Sequence, residues 1–170
     1  MSKPQGGPAR VRRSVHRYGD PYLPDFNPGD MMICTGCHAI FRRRHWLLDE
    51  ALYRELSRQR DTRRLLCPAC RKIRDGYYEG EVTLAAGAFL DEHEGEIRNL
   101  IRNEEERARG VNPLERILAV RKENGRMVVT TTNEKLAQRI GRELRKAFRG
   151  RTLYLWSEDN KSLRVRWRRD

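Results

Sequence analysis

Apolar residues recur at helical spacing over 45–61 ("HWLLDEALYRELSRQRD"), where Leu48, Leu52 and Leu56 share a face, so a helix is predicted there. "GYYEGEVTL" alternates like a strand, and "DEHEGEIRNLIRNEEERAR" reads as an acidic helix with Ile97, Leu100 and Ile101 turned inward. The pattern is clearest from 116 onward. "RILAVRKENGRMVVTTT" is two strand-like runs around Asn124-Gly125, the strongest short hairpin signal. "NEKLAQRIGRELRKAFRG" follows as a helix with Asn133 as N-cap and Gly150 as its stop. "TLYLWSEDNKSLRVRWRR" reads as a second hairpin turning near Asp159-Asn160. These elements predict a ββαββ unit, one helix packed on an antiparallel sheet.

Wound at about 100° per residue, the helix from 133 gathers Leu136, Ala137, Ile140, Gly141, Leu144, Ala147 and Phe148 on one arc. Lys135, Arg139, Arg142, Arg145, Lys146 and Arg149 fall on the other, so one face is predicted to build the core and the opposite face is cationic. Residues 1–30, rich in Pro, Gly, Arg and Asp, have neither periodicity and are expected to form a flexible basic arm. No repeat of 20–50 residues is visible. The expected organisation is an arm (1–30), a four-cysteine zinc module (31–85), an acidic helical connector (86–112) and a basic ββαββ domain (113–170).

Charge sharpens this division. Only 38% of the 170 residues are hydrophobic, 35% are charged and the formal net charge is +12, so a large buried core is not expected and a polyanionic partner is. Among 36 basic residues only Lys3, Lys72, Lys122, Lys135, Lys146 and Lys161 are lysine. The planar fork of arginine suits phosphates and bases, which favours nucleic acid, although a GC-rich genome also spells basic residues as Arg. The sign reverses in the middle: eleven basic and four acidic residues in 31–74, four and eleven in 75–115, sixteen and six in 116–170. An acidic helix between two basic segments either shields them from non-target polyanions or is simply a solvated surface. No apolar run is long enough to cross a bilayer, and "MSKPQGGPAR" carries no stretch of signal-peptide type, so the expected location is the cytoplasm.

All four cysteines lie in two Cys-x₂-Cys pairs, Cys34/Cys37 and Cys67/Cys70, separated by twenty-nine residues. In a reducing compartment such pairs hold metal in preference to forming disulfides. Four thiolates suit one tetrahedral Zn²⁺ with no open position, a structural site, and the long spacing requires a helix inserted between the knuckles. The alternatives are weaker. "CTGCH" matches a haem-attachment pattern that normally follows export, and "CPAC" resembles a redox dithiol but does not follow a βαβ unit. His38 and His45 are possible substitutes for a thiolate, but with four cysteines available they read as surface or nucleic-acid contacts.

Folding around zinc is expected to gather three basic clusters: Arg42, Arg43 and Arg44 after the first knuckle, Arg63 and Arg64 before the second, and Arg71, Lys72 and Arg74 after it. With the cationic helix face they form the candidate nucleic-acid surface. Phe41, Trp46, Tyr77, Tyr78, Trp156 and Trp167 are candidates for stacking on bases, or for packing.

At "CPACRKIRDGYYEGEVTL" the chain resembles the large-ribosomal-subunit export adaptor family of archaea and eukaryotes, NMD-three, through Cys67, Pro68, Cys70, Arg71, Gly76, Tyr77 and Tyr78. A looser likeness to that family's β-hairpin and helix continues through "RILAVRKENGRMVVTTTNEKLAQRIGRELRKAFRG". The family has more zinc-ligand pairs, has Gln-Leu-Arg where this chain has Thr83-Leu84-Ala85, and continues into further domains. The resemblance therefore implies a reduced, bacterial-type relative and ribosomal RNA as target, without a nuclear-export role.

The expected fold class is α+β: a zinc-ribbon-like Cys₄ module with an inserted helix, an acidic helix and a small ββαββ unit. The expected function is a non-enzymatic, monomeric, zinc-stabilised RNA-binding protein of the ribosome or its precursors, acting in assembly, quality control or dormancy. A DNA-binding regulator is the rival of the same chemistry, although the helix from 133 presents Arg and little Asn or Gln for base edges. A zinc-held redox switch or chaperone is the rival of another class. A metalloenzyme fits least: a closed site uses every Cys, His-Glu-x-x-His, Walker and Gly-x-Ser-x-Gly motifs are missing, and Glu104-Glu105-Glu106 reads as helix surface. No small-molecule substrate or membrane is expected as partner.

Overall fold

The structure, a computed structural model, describes residues 22, 27, 29–159 and 161–170. Most of the expected arm, and Asn160 of the last turn, lie outside the described residues.

Strands β1 (Met32–Cys34), β2 (Ile40–Arg42) and β3 (His45–Leu47) form an antiparallel meander, followed by helix α1 (Glu50–Arg58), strand β4 (Arg63–Leu65) and helix α2 (Pro68–Asp75). The sheet order is β3-β2-β1-β4, and β4 returns parallel to β1, with Cys34 opposite Leu65. A parallel return needs a crossover, and the inserted helix α1 supplies it. This helix is shorter than the periodicity predicts. His45–Leu47 are a strand because Trp46 and Leu47 pair with Phe41 and Ile40, a cross-strand apolar fit that outweighs helical spacing. The helix starts only after Asp49, whose carboxylate accepts the Leu52 amide at 3.0 Å, so Leu48 is left exposed and only Leu52 and Leu56 remain in the stripe. The β2–β3 turn is Arg43-Arg44 with φ of 50° and 68°, a hairpin geometry that the residue types do not advertise.

The second sheet comprises β5 (Gly80–Ala85), β6 (Ile117–Glu123), β7 (Arg126–Thr131), β8 (Arg151–Trp156) and β9 (Leu163–Arg168), in the order β6-β7-β5-β9-β8. Helices α3 (Ala88–Glu92) and α4 (Glu94–Val111) precede β6, and α5 (Glu134–Phe148) joins β7 to β8. The β6–β7 hairpin turns on Asn124-Gly125 with φ of 51° and 70°, and Asn133 caps α5 by accepting the Leu136 amide at 3.1 Å. The expected ββαββ unit is incomplete as a sheet. Its two hairpins do not pair with each other, and β5, assigned above to the zinc module, lies between them, antiparallel to β7 and parallel to β9. Val82 and Leu84 of β5 are fully buried, and the core of the sheet runs through them.

Helix α5 lies across one face of this sheet and α4 packs on α5. Leu136, Ile140 and Leu144 meet Val129, Val165 and Trp167, all at most 1% exposed, while Ala147, expected in this core, is exposed and Phe148 is half-buried. Ile97 and Ile101 of α4 are buried as expected. The carboxylate run behind them is not all helix surface: Glu104 is buried and accepts Arg107 at 2.7 Å, and Glu105 accepts the Ile117 amide at 2.8 Å, so only Glu106 of the three is free at the surface. Among the described residues no helix is long and apolar enough to cross a membrane. The whole is a mixed α+β structure with two sheets and five helices among the described residues.

Candidate metal centre and cationic surfaces

Cys34 ends β1 and Cys37 lies in the turn to β2, where the His38 amide donates to Cys34 O at 3.1 Å and the Cys34 amide to Ala39 O at 2.7 Å. Gly36 is required by proximity, since a Cβ there would stand 3.0 Å from Cys70 Sγ and 3.1 Å from Leu66 Cδ2. Cys67 is the N-cap of α2, its sulfur accepting the Cys70 amide at 3.4 Å, with Pro68 in the first turn. Parallel pairing of β1 with β4 carries this second knuckle against the first, and the Cys67 amide donates to Cys34 Sγ at 3.1 Å.

The four sulfur atoms lie within 4.8 Å of one another, with Cys37 and Cys67 Sγ 3.6 Å apart. Sulfurs about 2.3 Å from one tetrahedral ion stand about 3.8 Å apart, so the donor set fits a shared metal. Hydrogen bonds from the Cys37, Cys67 and Cys70 thiols hold the Cys34 thiol far below the usual range, and the same bonding, led by Cys34, pushes Cys67 far above it. The Cys37 thiol, raised by Cys34 but lowered more by Cys67 and Cys70 together, falls to about 7, whereas Cys70 is pushed up like Cys67, led by Cys34. Two of the four thiols thus ionise readily and the other two resist it beside them, until a cation supplies the compensating charge. Cys34, Cys37, Cys67 and Cys70 are a site that can hold a metal ion. His38 and His45 are not in the cluster: His38 stacks on Tyr53 at 4.1 Å and lies 3.7 Å from Glu50, and His45 is exposed on β3.

The candidate arginines have different fates. Arg42, Arg43 and Arg44 are exposed on the β2–β3 hairpin. Arg64 donates to Ser57 O at 2.7 Å, and Arg63 lies 3.9 Å from Asp30. Of the third cluster, Arg71 stands 5.5 Å over the Tyr22 ring, Arg74 pairs with Asp75 at 2.8 Å, and Lys72 is buried. Lys72 therefore leaves the candidate surface, and its Nζ donates instead to Glu79 Oε1 at 2.7 Å and Thr132 O at 3.2 Å, tying α2 to the end of the second sheet. Replacing Lys72 by Met is expected to cost about 2–4 kcal/mol, because it strips a buried charge from the carboxylate it faces. Urea unfolding measures this, and a Lys72→Met/Glu79→Gln double variant should lose less than the sum of the two single changes.

On α5, Lys135, Arg142 and Arg145 are exposed, as is Arg149 at its C-cap, Arg139 lies 3.8 Å from the buried Glu115, and Lys146 pairs with Glu143 at 2.6 Å. Of the candidate stackers, Phe41 and Trp167 are core residues, Trp167 donating its indole N–H to Arg149 O at 2.8 Å, whereas Tyr77, Tyr78 and Trp156 are exposed.

Sequence reasoning passed over the other face of the second sheet. Arg164, Arg166 and Arg168 of β9 point away from α5 and are exposed, as is Arg151 of β8, the direct neighbour of Arg168. The signal was present in "LRVRWR", where Arg occupies every second position of a strand whose other positions are apolar. Comparison with protein-family models, with curated proteins and with solved structures finds no match to this chain at any of the three levels.

Proposed function

We propose that the protein is a zinc-stabilised, non-enzymatic RNA-binding protein that acts as a monomer in the cytoplasm on the ribosome or its precursors. One observation carries this reading: a closed four-thiol site sits in a chain of net charge +12 in which, among the described residues, Arg42, Arg43, Arg44, Arg142, Arg145, Arg164, Arg166 and Arg168 are exposed and no carboxylate partner is found for them. Four sulfur donors within 4.8 Å of one another favour zinc and would leave no open position for a substrate, so the ion would act as a fold-forming crosslink. Unpaired arginines favour phosphates, which they contact in two-pronged fashion. The ribosomal target is supported by the resemblance of Cys67–Tyr78 to the export adaptor family, and the stage is assembly, quality control or dormancy.

The test is sedimentation of a lysate through a sucrose gradient at two salt concentrations. The protein is expected in subunit or ribosome fractions at low salt and to move toward the top as salt rises, because each neutralised phosphate contributes about 0.7–0.9 to the slope of log affinity against log salt. A protein found only in free fractions at both salts would refute the ribosomal assignment.

A further inference from the structure

The face of the second sheet opposite α5 is an array of alternating positions from all five strands. The register places Arg168 beside Arg151, Arg166 beside Leu153, and Arg164 beside Leu155. On the other side of β9 the same rows continue through Thr83 and Glu81 of β5 to Val128 and Thr130 of β7, and Arg121 of β6 pairs with Val128. Arg126 and Arg121 extend the cationic surface across the sheet, interrupted by Glu81 of β5 and by Glu123 of β6, which stands opposite Arg126 and also lines the cleft at one end of the face. For none of these six arginines is an ion pair or hydrogen bond of the guanidinium found among the described residues, in contrast to Arg139 and Lys146 of α5. At one end the face deepens into a cleft of about 430 Å³, walled by Ile73, Gly76 and Tyr78 at the end of α2 and floored by Glu81, Val128 and Thr130. The Tyr78 ring is exposed there, with its hydroxyl donating to Glu81 at 3.4 Å.

We propose that this face is the binding platform for a single strand of RNA, which crosses the arginines of β8, β9, β7 and β6 and places a base against Tyr78 in the cleft beside the metal module. This rests on the RNA-binding reading above and assigns it to one surface. Arginine side chains on alternate residues of a strand stand about 6.6 Å apart along one face, a regular row of phosphate donors. A broad five-stranded face does not fit the major groove of B-form DNA, which admits a helix or a two-stranded ribbon, whereas an unpaired strand lies flat on a sheet with its bases free to stack. Thr83, Thr130 and Glu81 between the arginines are donors and acceptors suited to ribose hydroxyls. The four-thiol site acquires a purpose in this arrangement, because it holds the helix that forms the wall of the cleft.

The experiment measures binding of a fluorescent single-stranded RNA, the same sequence as duplex RNA, and B-form duplex DNA to the whole metal-loaded protein by anisotropy, over a salt series. Two variants are compared, both at exposed positions: R164Q/R166Q/R168Q on the sheet and K135Q/R142Q/R145Q on α5, on the opposite side. The proposal expects tighter binding of the single strand than of either duplex. The sheet variant should bind it about 10- to 100-fold more weakly at ~0.1 M salt, with the log–log slope lower by about 2, and the α5 variant should be less affected. Crosslinking of a photoreactive RNA to the unaltered protein, which does not depend on how a variant folds, should mark Tyr78 and residues 151–168. If the unaltered protein binds the single strand but the folded sheet variant binds equally well, or crosslinks fall only on α5, the platform is overturned while the RNA-binding reading stands. Equal or tighter binding of a duplex overturns the single-strand occupant. If no RNA binds, both readings fail.

Discussion

Chelation of the metal, or replacement of Cys67 by serine, should unfold residues 31–75 while much of the second sheet persists. Cys67 has three tasks at once: it is one of the four sulfur donors, it caps α2, and it is fully buried against Cys34, Ala39 and Ala69. That cluster is small, and so is the remaining buried apolar set of this half among the described residues, Met32, Ile33, Ile40, Phe41 and Leu56. Neither offsets the entropy of ordering about forty-five residues. In the proposed reading the missing free energy comes from zinc, whose apparent contribution in small thiolate sites is about 10–16 kcal/mol near neutral pH. The second sheet has a core without any thiol, running from Val82 to Trp167, so it should keep its amide protection while losing the anchorage of α2 through Lys72. One zinc per chain by elemental analysis, lost in Cys67→Ser together with hydrogen-exchange protection of 31–75, is the expected result. A chelated protein that retains that protection would show that the knuckles are held by packing alone.

Gly80→Ala should be the most damaging single methyl group in the second half. Gly80 opens β5 between Thr131 and Leu163, and a Cβ there would lie 2.1 Å from Thr131 Oγ1, 2.6 Å from Ala137 Cβ and 2.7 Å from Asn133 O. None of these atoms can move aside cheaply. The Thr131 hydroxyl donates to Asn133 O at 2.7 Å, Asn133 caps α5, and Ala137 belongs to the buried stripe of that helix. Relief therefore requires β5 to separate from α5. Overpacking of a well-filled site costs about 1–3 kcal/mol, and here, with backbone as well as side chain in the way, about 3 kcal/mol or more is expected. For a unit of this size that is a fall of roughly 12–20 °C in Tm. Thr131→Ala removes the closest of the three contacts and should restore part of the loss. A change below about 1 kcal/mol in urea unfolding would mean that β5 and α5 are not in such close approach.

What residues do to their immediate neighbours is legible in the order of the amino acids. Asn124-Gly125 makes its hairpin and Asn133 its cap because those side chains and that glycine decide backbone angles locally. The inward stripe of Leu136, Ile140 and Leu144 follows from helical period, and two Cys-x₂-Cys pairs imply a four-thiol cluster because two-residue spacing lets both sulfurs of a knuckle face one point.

Only the tertiary structure decided which partner each element meets. Alternation in β5 states that one face is buried but not that the strand enters between two hairpins formed some forty to eighty residues later. Helical spacing in 45–61 could not reveal that Trp46 and Leu47 would find Phe41 and Ile40 first. Charge behaves likewise. Composition counts the arginines, but whether one is spent on a carboxylate depends on what the fold sets beside it, so Lys72 and Glu104 went inside while Arg164, Arg166 and Arg168 stayed free on an open sheet. Turns, caps and periodicity act over a few residues and are written in the chain itself, whereas strand insertion, burial of charge and the sharing of one surface by distant strands are settled by competition among contacts that exist only once the chain has closed on itself.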